Sequence, residues 1–257
     1  MIDVHSHLLP GVDDGSPSIA VSVPVLQRFA NDGVECLVLT PHLVASRAAS
    51  APYERHAAIL LELHAAAAEQ GGVPELRLGW EIMLDEPNTD LRAPLLGLGG
   101  ARAILVEFPR TSVPARASEE LFRLKAIGRV PVLAHPERYW GCTVEKVAEW
   151  RAAGAVIQMD TAGLISSSRI ASISRALLEA GLVDLFASDN HGDSRSLAIA
   201  RDWLLEVSTP EHAELLTRTN ARRLLDDAPV VPVPPLPTPK GVFSRLRELF
   251  LRRSPPR

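Results

Sequence analysis

Short apolar runs alternate with helix-forming stretches along most of the chain, and this alternation limits the fold more than any other feature. Seven runs are predicted to be strands, at 2–7, 34–40, 76–84, 103–108, 130–134, 155–159 and 182–187. Parallel strands joined by right-handed crossovers produce such a pattern. The sequence therefore predicts an α/β fold, and both a doubly wound sheet and a closed barrel satisfy the alternation.

Ionisable side chains stand at or just beyond the carboxyl ends of six of the seven predicted strands. The candidate site residues found in this way are His5, His7, Asp14, His42, Glu81, Glu107, His135, Asp189 and His191. In a (β/α) barrel, the carboxyl ends of the strands form the active-site rim. The distribution of these residues around the whole series therefore favours a barrel with its site at that rim.

The pair His5 and His7 shows why the joint pattern matters more than any single residue. Residues i and i+2 of a strand point to the same face, so these two imidazoles can converge. Taken singly, each candidate has an ordinary explanation, such as a solvated carboxylate, a turn or a loop histidine. However, five of the eight histidines lie at or just after the carboxyl ends of predicted strands, which an ordinary surface distribution would not produce. The remaining three fall in predicted helices and are His56, His64 and His212.

Nitrogen and oxygen donors without thiolates suit Mn²⁺, Fe or Zn²⁺. Nine candidate ligands are too many for one ion and are enough for two or three. Centres with several metal ions hydrolyse phosphate esters, because they activate water and neutralise phosphoryl charge. Arg138 and Arg195 follow His135 and His191 closely, and arginine binds phosphate in a bidentate manner. We therefore predict Arg138 and Arg195 as catalytic and substrate-binding residues.

Composition excludes several other classes of protein. The chain of 257 residues has a net charge of −4, although its last residues are strongly basic, so the remainder is acidic and nucleic acid is not expected as a partner. Cys36 and Cys142 are too few for a disulfide framework. Neither is followed six positions later by the arginine that a cysteine phosphatase loop needs. Because no signal peptide or membrane span is apparent, a cytoplasmic location is expected.

Three regions are predicted from changes in composition. Residues 1–227 form the barrel domain, 228–239 a Pro-rich extended linker, and 240–257 a basic amphipathic tail. Apolar residues recur at helical spacing within 242–253, with arginines between them. We expect this segment to contact anionic lipid at the inner face of the cell membrane, which would be a reversible, peripheral contact. A flexible extension without function is the alternative.

Five motifs carry a resemblance to the PHP (polymerase and histidinol phosphatase) superfamily. They are Asp3-x-His5-x-His7, Thr40-Pro41-His42, Glu81, His135-Pro136-Glu137-Arg138-Tyr139 and Ser188-Asp189-x-His191. Within the superfamily, the chain is most similar to the bacterial manganese-dependent protein-tyrosine phosphatases of capsular and exopolysaccharide gene clusters. The resemblance extends from residue 1 to about 227. One departure is Leu43, which stands where relatives often have a second histidine.

The resemblance implies a distorted (β/α)₇ TIM-like barrel (the PHP fold) with a three-metal cluster, for which Mn²⁺ is the expected metal and Fe or Zn²⁺ are alternatives. It assigns His5, His7, Glu81 and Asp189 to one ion. A second ion shares Glu81 and takes Glu107 and His135, and the third takes Asp14, His42 and His191. Arg138 and Arg195 hold the phosphate. Asp3 lies outside the ligand set, and we expect it to orient the site or support a histidine.

The implied activity is hydrolysis of phosphotyrosine in the tail of a membrane tyrosine autokinase that regulates capsular or exopolysaccharide synthesis. The expected mechanism is attack of a metal-bound hydroxide on the phosphomonoester, without a covalent enzyme intermediate. A small phosphomonoester such as histidinol phosphate, or a phosphodiester, remains an alternative substrate. A non-catalytic regulatory module is disfavoured, because all nine ligand positions keep donor residues.

Overall fold

The computed structural model describes residues 1–69, 71–165 and 168–236, and the strands in these ranges pair in parallel. The strands are β1 Ile2–Asp3, β2 Cys36–Leu39, β3 His42–Val44, β4 Glu75–Leu78, β5 Glu81–Met83, β6 Ala103–Glu107, β7 Val130–Ala134, β8 Val156–Asp160 and β9 Leu185–Ala187. They form a sheet in the order β1-β2-β4 and a second sheet in the order β3-β5-β6-β7-β8-β9.

Helices separate most of the strands, which confirms the predicted α/β alternation. They are α1 Ile19–Asn31, α2 Tyr53–Ala68, α3 Ala117–Ala126, α4 Val144–Ala152, α5 Thr161–Ile165, α6 Ser168–Glu179, α7 Leu197–Val207, α8 Pro210–Glu214 and α9 Asn220–Leu225. A π-helical turn, Leu215–Thr219, joins α8 to α9, and a 3-10 turn, Pro136–Arg138, follows β7. No helix forms over 85–100, where two short 3-10 turns lie instead, as the prolines and glycines there predict.

The strand predicted over 76–84 is broken in the middle, so this part of the prediction is wrong, and β3, which follows the strand predicted over 34–40, was not predicted. The run 34–40 ends as β2, and the chain starts again as β3 after Pro41, which has no N–H to donate. The run 76–84 breaks likewise between β4 and β5. Pairing nevertheless keeps one register across both breaks, from Leu39 opposite Leu78 to His42 opposite Glu81. The breaks therefore divide one strand pair between the two sheets and leave His42 beside Glu81.

The chain segments after β1 and β9 lie against each other. The amide of Asp189 donates to the carbonyl of His5 at 3.0 Å, and the amide of His7 donates to the carbonyl of Asn190 at 2.7 Å. Ser6 and Asn190 form an isolated parallel bridge. These contacts join the first and last strands of the series and bring His5, His7 and Asp189 to one place.

Alternate residues of the strands enter two separate hydrophobic cores, as the period of two requires. One face supplies the smaller core, which includes Ile2, Val38, Leu105, Val132 and Ala187. The opposite face supplies the larger core, which includes Leu37, Ile104, Leu133, Ile157 and Phe186 and extends beneath the helices. Strands with both faces buried explain the nearly continuous apolar runs of the sequence.

The segment after α9 is extended but packs onto the rest of the chain. Among its described residues, 228–236 contain no helix or strand, and Val233 and Leu236 are buried. The amide of Leu236 donates to the carbonyl of Leu178 in α6, and that of Val231 to the side chain of Asn220 in α9, both at 2.8 Å. The remainder of the predicted linker, 237–239, and the predicted tail, 240–257, lie outside the described residues.

Membrane-spanning helices were not expected from the sequence. Over 1–69, 71–165 and 168–236, no helix combines the length and the apolar character that crossing a membrane requires.

Tyr139 joins the ends of β6 and β7, and this contact generates a stability prediction. Its buried hydroxyl accepts a hydrogen bond from the Phe108 amide at 3.1 Å and donates to the Ala134 carbonyl at 2.9 Å. We expect Tyr139→Phe to lower the free energy of unfolding by about 1–3 kcal/mol, because the Phe108 amide loses its partner. Urea denaturation measures this loss. Tyr53→Phe is the control, since the Tyr53 hydroxyl has no hydrogen bond within the described ranges; equal effects would contradict the prediction.

Candidate metal centre

The predicted ligands lie together at the carboxyl ends of the strands. Three groups have ligand atoms that all lie within 4.8 Å of one another, namely His7 with Asp14, His42 and His191; His5 with His7 and Glu81; and His42 with Glu81 and Glu107. The other two predicted ligands contact these groups. His135 Nε2 lies 2.8 Å from Glu81 Oε1, and Asp189 Oδ1 lies 3.2 Å from both His5 Nε2 and His7 Nε2.

Glu81 occupies the middle of the cluster. Its Oε1 lies 2.8 Å from His135 Nε2 and 3.4 Å from His5 Nε2, and its Oε2 lies 3.2 Å from His7 Nε2 and 3.0 Å from His42 Nδ1. The side chain is only 1% exposed, yet Oε2 accepts no hydrogen bond from the part of the chain that the structure describes. Burial alone would raise the pKa of Glu81, but the surrounding imidazoles hold that pKa well below its usual range. A buried carboxylate with a free lone pair is a natural bridging ligand.

Asp14 and His191 complete the outer side of the cluster. Asp14 Oδ1 lies 3.2 Å from His42 Nε2 and 3.7 Å from His191 Nε2, and Asp14 is the most exposed of these groups. Glu107 Oε1 lies 4.0 Å from His42 Nδ1, and its Oε2 lies 3.7 Å from His135 Nε2. The cluster therefore runs from a buried end at His5 to an open end at Asp14.

Three of the histidines are held by hydrogen bonds at Nδ1 that leave Nε2 directed into the cluster. The partners are Gln158 Oε1 for His5 at 2.9 Å, Asp13 Oδ2 for His7 at 2.8 Å and the Asp189 carbonyl for His191 at 2.9 Å. With Nδ1–H donating outward, each Nε2 presents a lone pair. The Nε2 atoms of His5 and His7 are 3.2 Å apart, and a shared cation relieves the repulsion between two such lone pairs. These donors therefore fit a metal ion.

Two of the ligand residues have left-handed backbone conformations. His135 has φ 34° and Asp189 has φ 47°. Non-glycine residues in sparsely populated regions cost about 1–3 kcal/mol each and persist where the surrounding structure fixes them. His135 lies directly after β7 and Asp189 lies two residues after β9, at turns that direct their side chains into the cluster.

Arg138 and Arg195 meet on the side of Asp189 that faces away from the histidines. Asp189 Oδ2 lies 2.7 Å from Arg138 Nη2 and 3.2 Å from Arg195 Nη1, and Arg138 also forms an ion pair with Asp160. Burial tends to lower the pKa of Arg138, but the Asp160 and Asp189 carboxylates raise it, so the guanidinium remains charged. Two guanidinium groups beside a cluster of candidate metal ligands have the chemistry that binds a phosphate group.

Four residues of this network were not predicted, and they lie behind the ligands. Gln158 and Asp160 link His5 to Arg138 through a hydrogen bond of 3.0 Å between Gln158 Nε2 and Asp160 Oδ1. Glu137 Oε1 accepts from the Asp160 amide, and burial together with Asp160 raises the pKa of Glu137 to about 7. Asp13 is the fourth. Asp160 comes directly after the predicted strand 155–159, so the rule applied to the other strand ends would have found it.

Asp3, Leu43 and the two cysteines lie outside the cluster. Asp3 Oδ1 accepts from the amides of His5 at 3.3 Å and Ser188 at 3.1 Å, so it fixes backbone rather than an imidazole. Burial raises the pKa of Asp3 to about 6. Leu43 is 8% exposed and packs into the larger core, on the opposite side of β3 from His42.

The cysteines are buried or half-buried, and burial raises the pKa of Cys36 to about 11 and that of Cys142 to about 12. Their thiols are therefore protonated at neutral pH, which removes the nucleophile that a cysteine phosphatase requires.

The parallel α/β fold, with many nitrogen and oxygen donors at its strand ends and two arginines beside them, defines a metalloprotein of the phosphoester-hydrolysing type. The model of the capsular polysaccharide synthesis family CpsB/CapC matches residues 1–226, and the chain belongs to this family.

Two curated relatives match over most of their lengths. The tyrosine-protein phosphatase YwqE of Bacillus subtilis is 27% identical over 254 residues, covering 92% of this chain and 96% of its own. The tyrosine-protein phosphatase CpsB of Streptococcus pneumoniae is 27% identical over 241 residues, which cover 88% of this chain and 99% of CpsB. A chain from the crystal structures of YwqE and CpsB, described there as metal-dependent tyrosine phosphatases, superimposes with a TM-score of 0.77 at 26% identity, covering 93% of this chain and 100% of that one.

The hydrogen bond from His5 to Gln158 yields a test of the metal centre. Gln158→Leu removes the acceptor that holds the His5 Nδ1 proton. We expect metal affinity to fall about 10- to 100-fold, because the ring loses its fixed orientation. Competition with a chromophoric chelator measures this affinity, and circular dichroism checks that the fold is retained. An unchanged affinity in a folded variant would contradict the proposed orientation of His5.

Proposed function

We propose that this protein is a metal-dependent protein-tyrosine phosphatase. The observation that carries the proposal is the convergence of histidine and carboxylate donors around the buried Glu81, with Arg138 and Arg195 adjacent. The relatives named as tyrosine-protein phosphatases, which match over most of the chain, support the same activity.

The proposed metal cluster uses the ligand sets of the family resemblance. We assign His5, His7, Glu81 and Asp189 to one ion, Glu81, Glu107 and His135 to a second, and Asp14, His42 and His191 to a third. Within these sets, neighbouring donor atoms lie 2.8–3.7 Å apart, which supports the groupings. Mn²⁺ is the proposed metal, because imidazole and carboxylate donors without thiolate suit it. When bound, such ions supply Lewis acidity and lower the pKa of coordinated water.

Side chains of the protein bind the phosphate and hold the reacting groups in position. Arg138 and Arg195 bind the phosphate and stabilise the charge that develops on it, because both are fixed beside the cluster by Asp189. Asp160 and Gln158 hold Arg138 and His5 in position. With both cysteine thiols protonated, no covalent cysteinyl intermediate takes part.

We infer that the two sheets are parts of one distorted seven-stranded barrel. The unbroken register from β2–β4 to β3–β5 and the hydrogen bonds between the ends of β1 and β9 support this closure. Residues 1–227 would then be the catalytic domain, followed by the 228–239 segment and the 240–257 tail.

The proposed substrate is the phosphotyrosine tail of a membrane tyrosine autokinase that regulates capsular or exopolysaccharide synthesis, reached from the cytoplasm. The family description and the tyrosine phosphatase relatives support this choice over histidinol phosphate. Steady-state kinetics on a phosphotyrosyl peptide and on histidinol phosphate separate the two. A higher kcat/KM for histidinol phosphate would contradict the proposed substrate class while leaving the metal centre intact.

Removing a predicted ligand tests the chemistry. We expect His135→Ala to lower kcat for p-nitrophenyl phosphate at least about 10²-fold, because Glu81 and Glu107 lose a shared neighbour in the cluster. A chelator should abolish wild-type activity, and Mn²⁺ should restore it. Cys142→Ser is the matched control and should retain full activity. Loss in Cys142→Ser, or retained activity in His135→Ala, would contradict the metal mechanism.

We propose that the basic tail contacts anionic lipid, and vesicle binding tests this contact. If residues 242–253 contact anionic lipid, full-length protein should sediment with vesicles containing phosphatidylglycerol, whereas protein ending at residue 239 should not. The binding should weaken at high salt, because charge contributes to it. Equal sedimentation of both proteins would show that the tail does not contact the membrane.

A further inference from the structure

Trp140 is an exposed aromatic side chain close to the metal centre. It is 74% exposed, whereas Trp80, Trp150 and Trp203 are at most 3% exposed. It comes two residues after Arg138, in the loop after β7, and therefore lies at the same edge of the strands as the ligands. Single exposed apolar residues are common on protein surfaces, so exposure alone does not indicate a site.

Two arginines contact Trp140 or its backbone. The Arg169 guanidinium carbon lies 5.8 Å from the centre of the Trp140 ring, and Arg169 Nη1 donates to the Tyr139 carbonyl at 3.4 Å. The Trp140 amide donates to the Arg110 carbonyl at 2.8 Å, which fixes the loop after β6 against the loop after β7. Both arginines are exposed, and neither forms an ion pair with a carboxylate in the described parts of the chain.

The surface formed by Arg110, Trp140 and Arg169, here called the rim platform, lies at the same edge of the strands as the candidate metal centre. Its residues belong to the segments after β6, β7 and β8, the strands that carry or precede Glu107, His135 and Asp160. The platform thus presents an aromatic face and two exposed cations beside the phosphate site.

We propose that the rim platform binds the polypeptide that carries the phosphotyrosine and selects acidic and aromatic residues next to it. This inference rests on the proposed phosphatase function and adds the substrate sequence that the enzyme prefers. An indole ring stacks on aromatic rings, and guanidinium groups pair with carboxylates or with a second phosphate. A small phosphomonoester has no chain that reaches along the rim, so the platform distinguishes a peptide from a small substrate.

Kinetics on three substrates test the platform. They are p-nitrophenyl phosphate, a phosphotyrosyl peptide with acidic neighbours and the same peptide with basic neighbours. We expect Trp140→Ala to lower kcat/KM for the acidic peptide about tenfold, mainly through KM, while kcat/KM for p-nitrophenyl phosphate stays within about twofold. Arg169→Gln should reduce the preference for the acidic over the basic peptide. Trp140→Phe should keep most of the peptide activity, because the aromatic face remains.

Leu61→Ala is the matched control, since Leu61 is 72% exposed on α2, and it should change none of these constants. A direct measurement uses the acidic peptide with a phosphonate analogue of phosphotyrosine. Its binding to wild-type holoenzyme should protect Trp140, the exposed tryptophan, from quenching by acrylamide.

Kinetics on the same substrates separate a failure of the proposed phosphatase function from a failure of the rim platform. If wild-type enzyme hydrolyses p-nitrophenyl phosphate but neither peptide, the proposed function is wrong and the platform fails with it. If both peptides are hydrolysed, but Trp140→Ala affects the acidic peptide no more than it affects p-nitrophenyl phosphate, only the platform is wrong. Equal kcat/KM for the acidic and basic peptides in wild type would also overturn the proposed selection.

Discussion

The burial of Glu81 among imidazoles is the interaction on which the site depends. Its two oxygens lie 2.8–3.4 Å from four histidines, and it is almost completely shielded from water. A buried carboxylate is costly unless positive charge surrounds it. Here the charge comes from ligand histidines or, in the proposed holoenzyme, from metal ions that the same histidines hold. The same histidines that form the site therefore also compensate the charge of the buried carboxylate.

The topology places those groups where they are needed. Parallel strands direct their carboxyl ends to one edge, and the contacts between the ends of β1 and β9 bring residues from both ends of the series together. Asp189 then connects two chemical functions. Its Oδ1 faces His5 and His7, while its Oδ2 faces Arg138 and Arg195. The proposed phosphate site therefore adjoins the proposed metal cluster through a single carboxylate, and the rim platform extends it outward along the loops after β6 and β7.

Residue spacing and position relative to the apolar runs predict most of the cluster. The spacing of His5 and His7 and the ionisable residues after apolar runs were enough to select side chains that the structure brings together. The break between β4 and β5 was not predicted, because the apolar run 76–84 continues through it, and β3 was missed because only three residues after Pro41 form it. Gln158 was missed because a polar residue within a strand gives no sign of which distant ring it contacts. The left-handed conformations of His135 and Asp189 were not predicted either, although His and Asp adopt positive φ more often than most non-glycine residues.

Glu81 is proposed to organise a centre for several metal ions. Elemental analysis of the purified protein after dialysis, compared with Glu81→Gln, tests it most directly. The change keeps the size of the side chain but removes its charge, so the shared ligand is lost. We expect more than one transition-metal ion per chain in wild type and a marked loss in a folded Glu81→Gln variant. Wild-type protein without tightly bound metal, or the same metal content in both proteins, would contradict it.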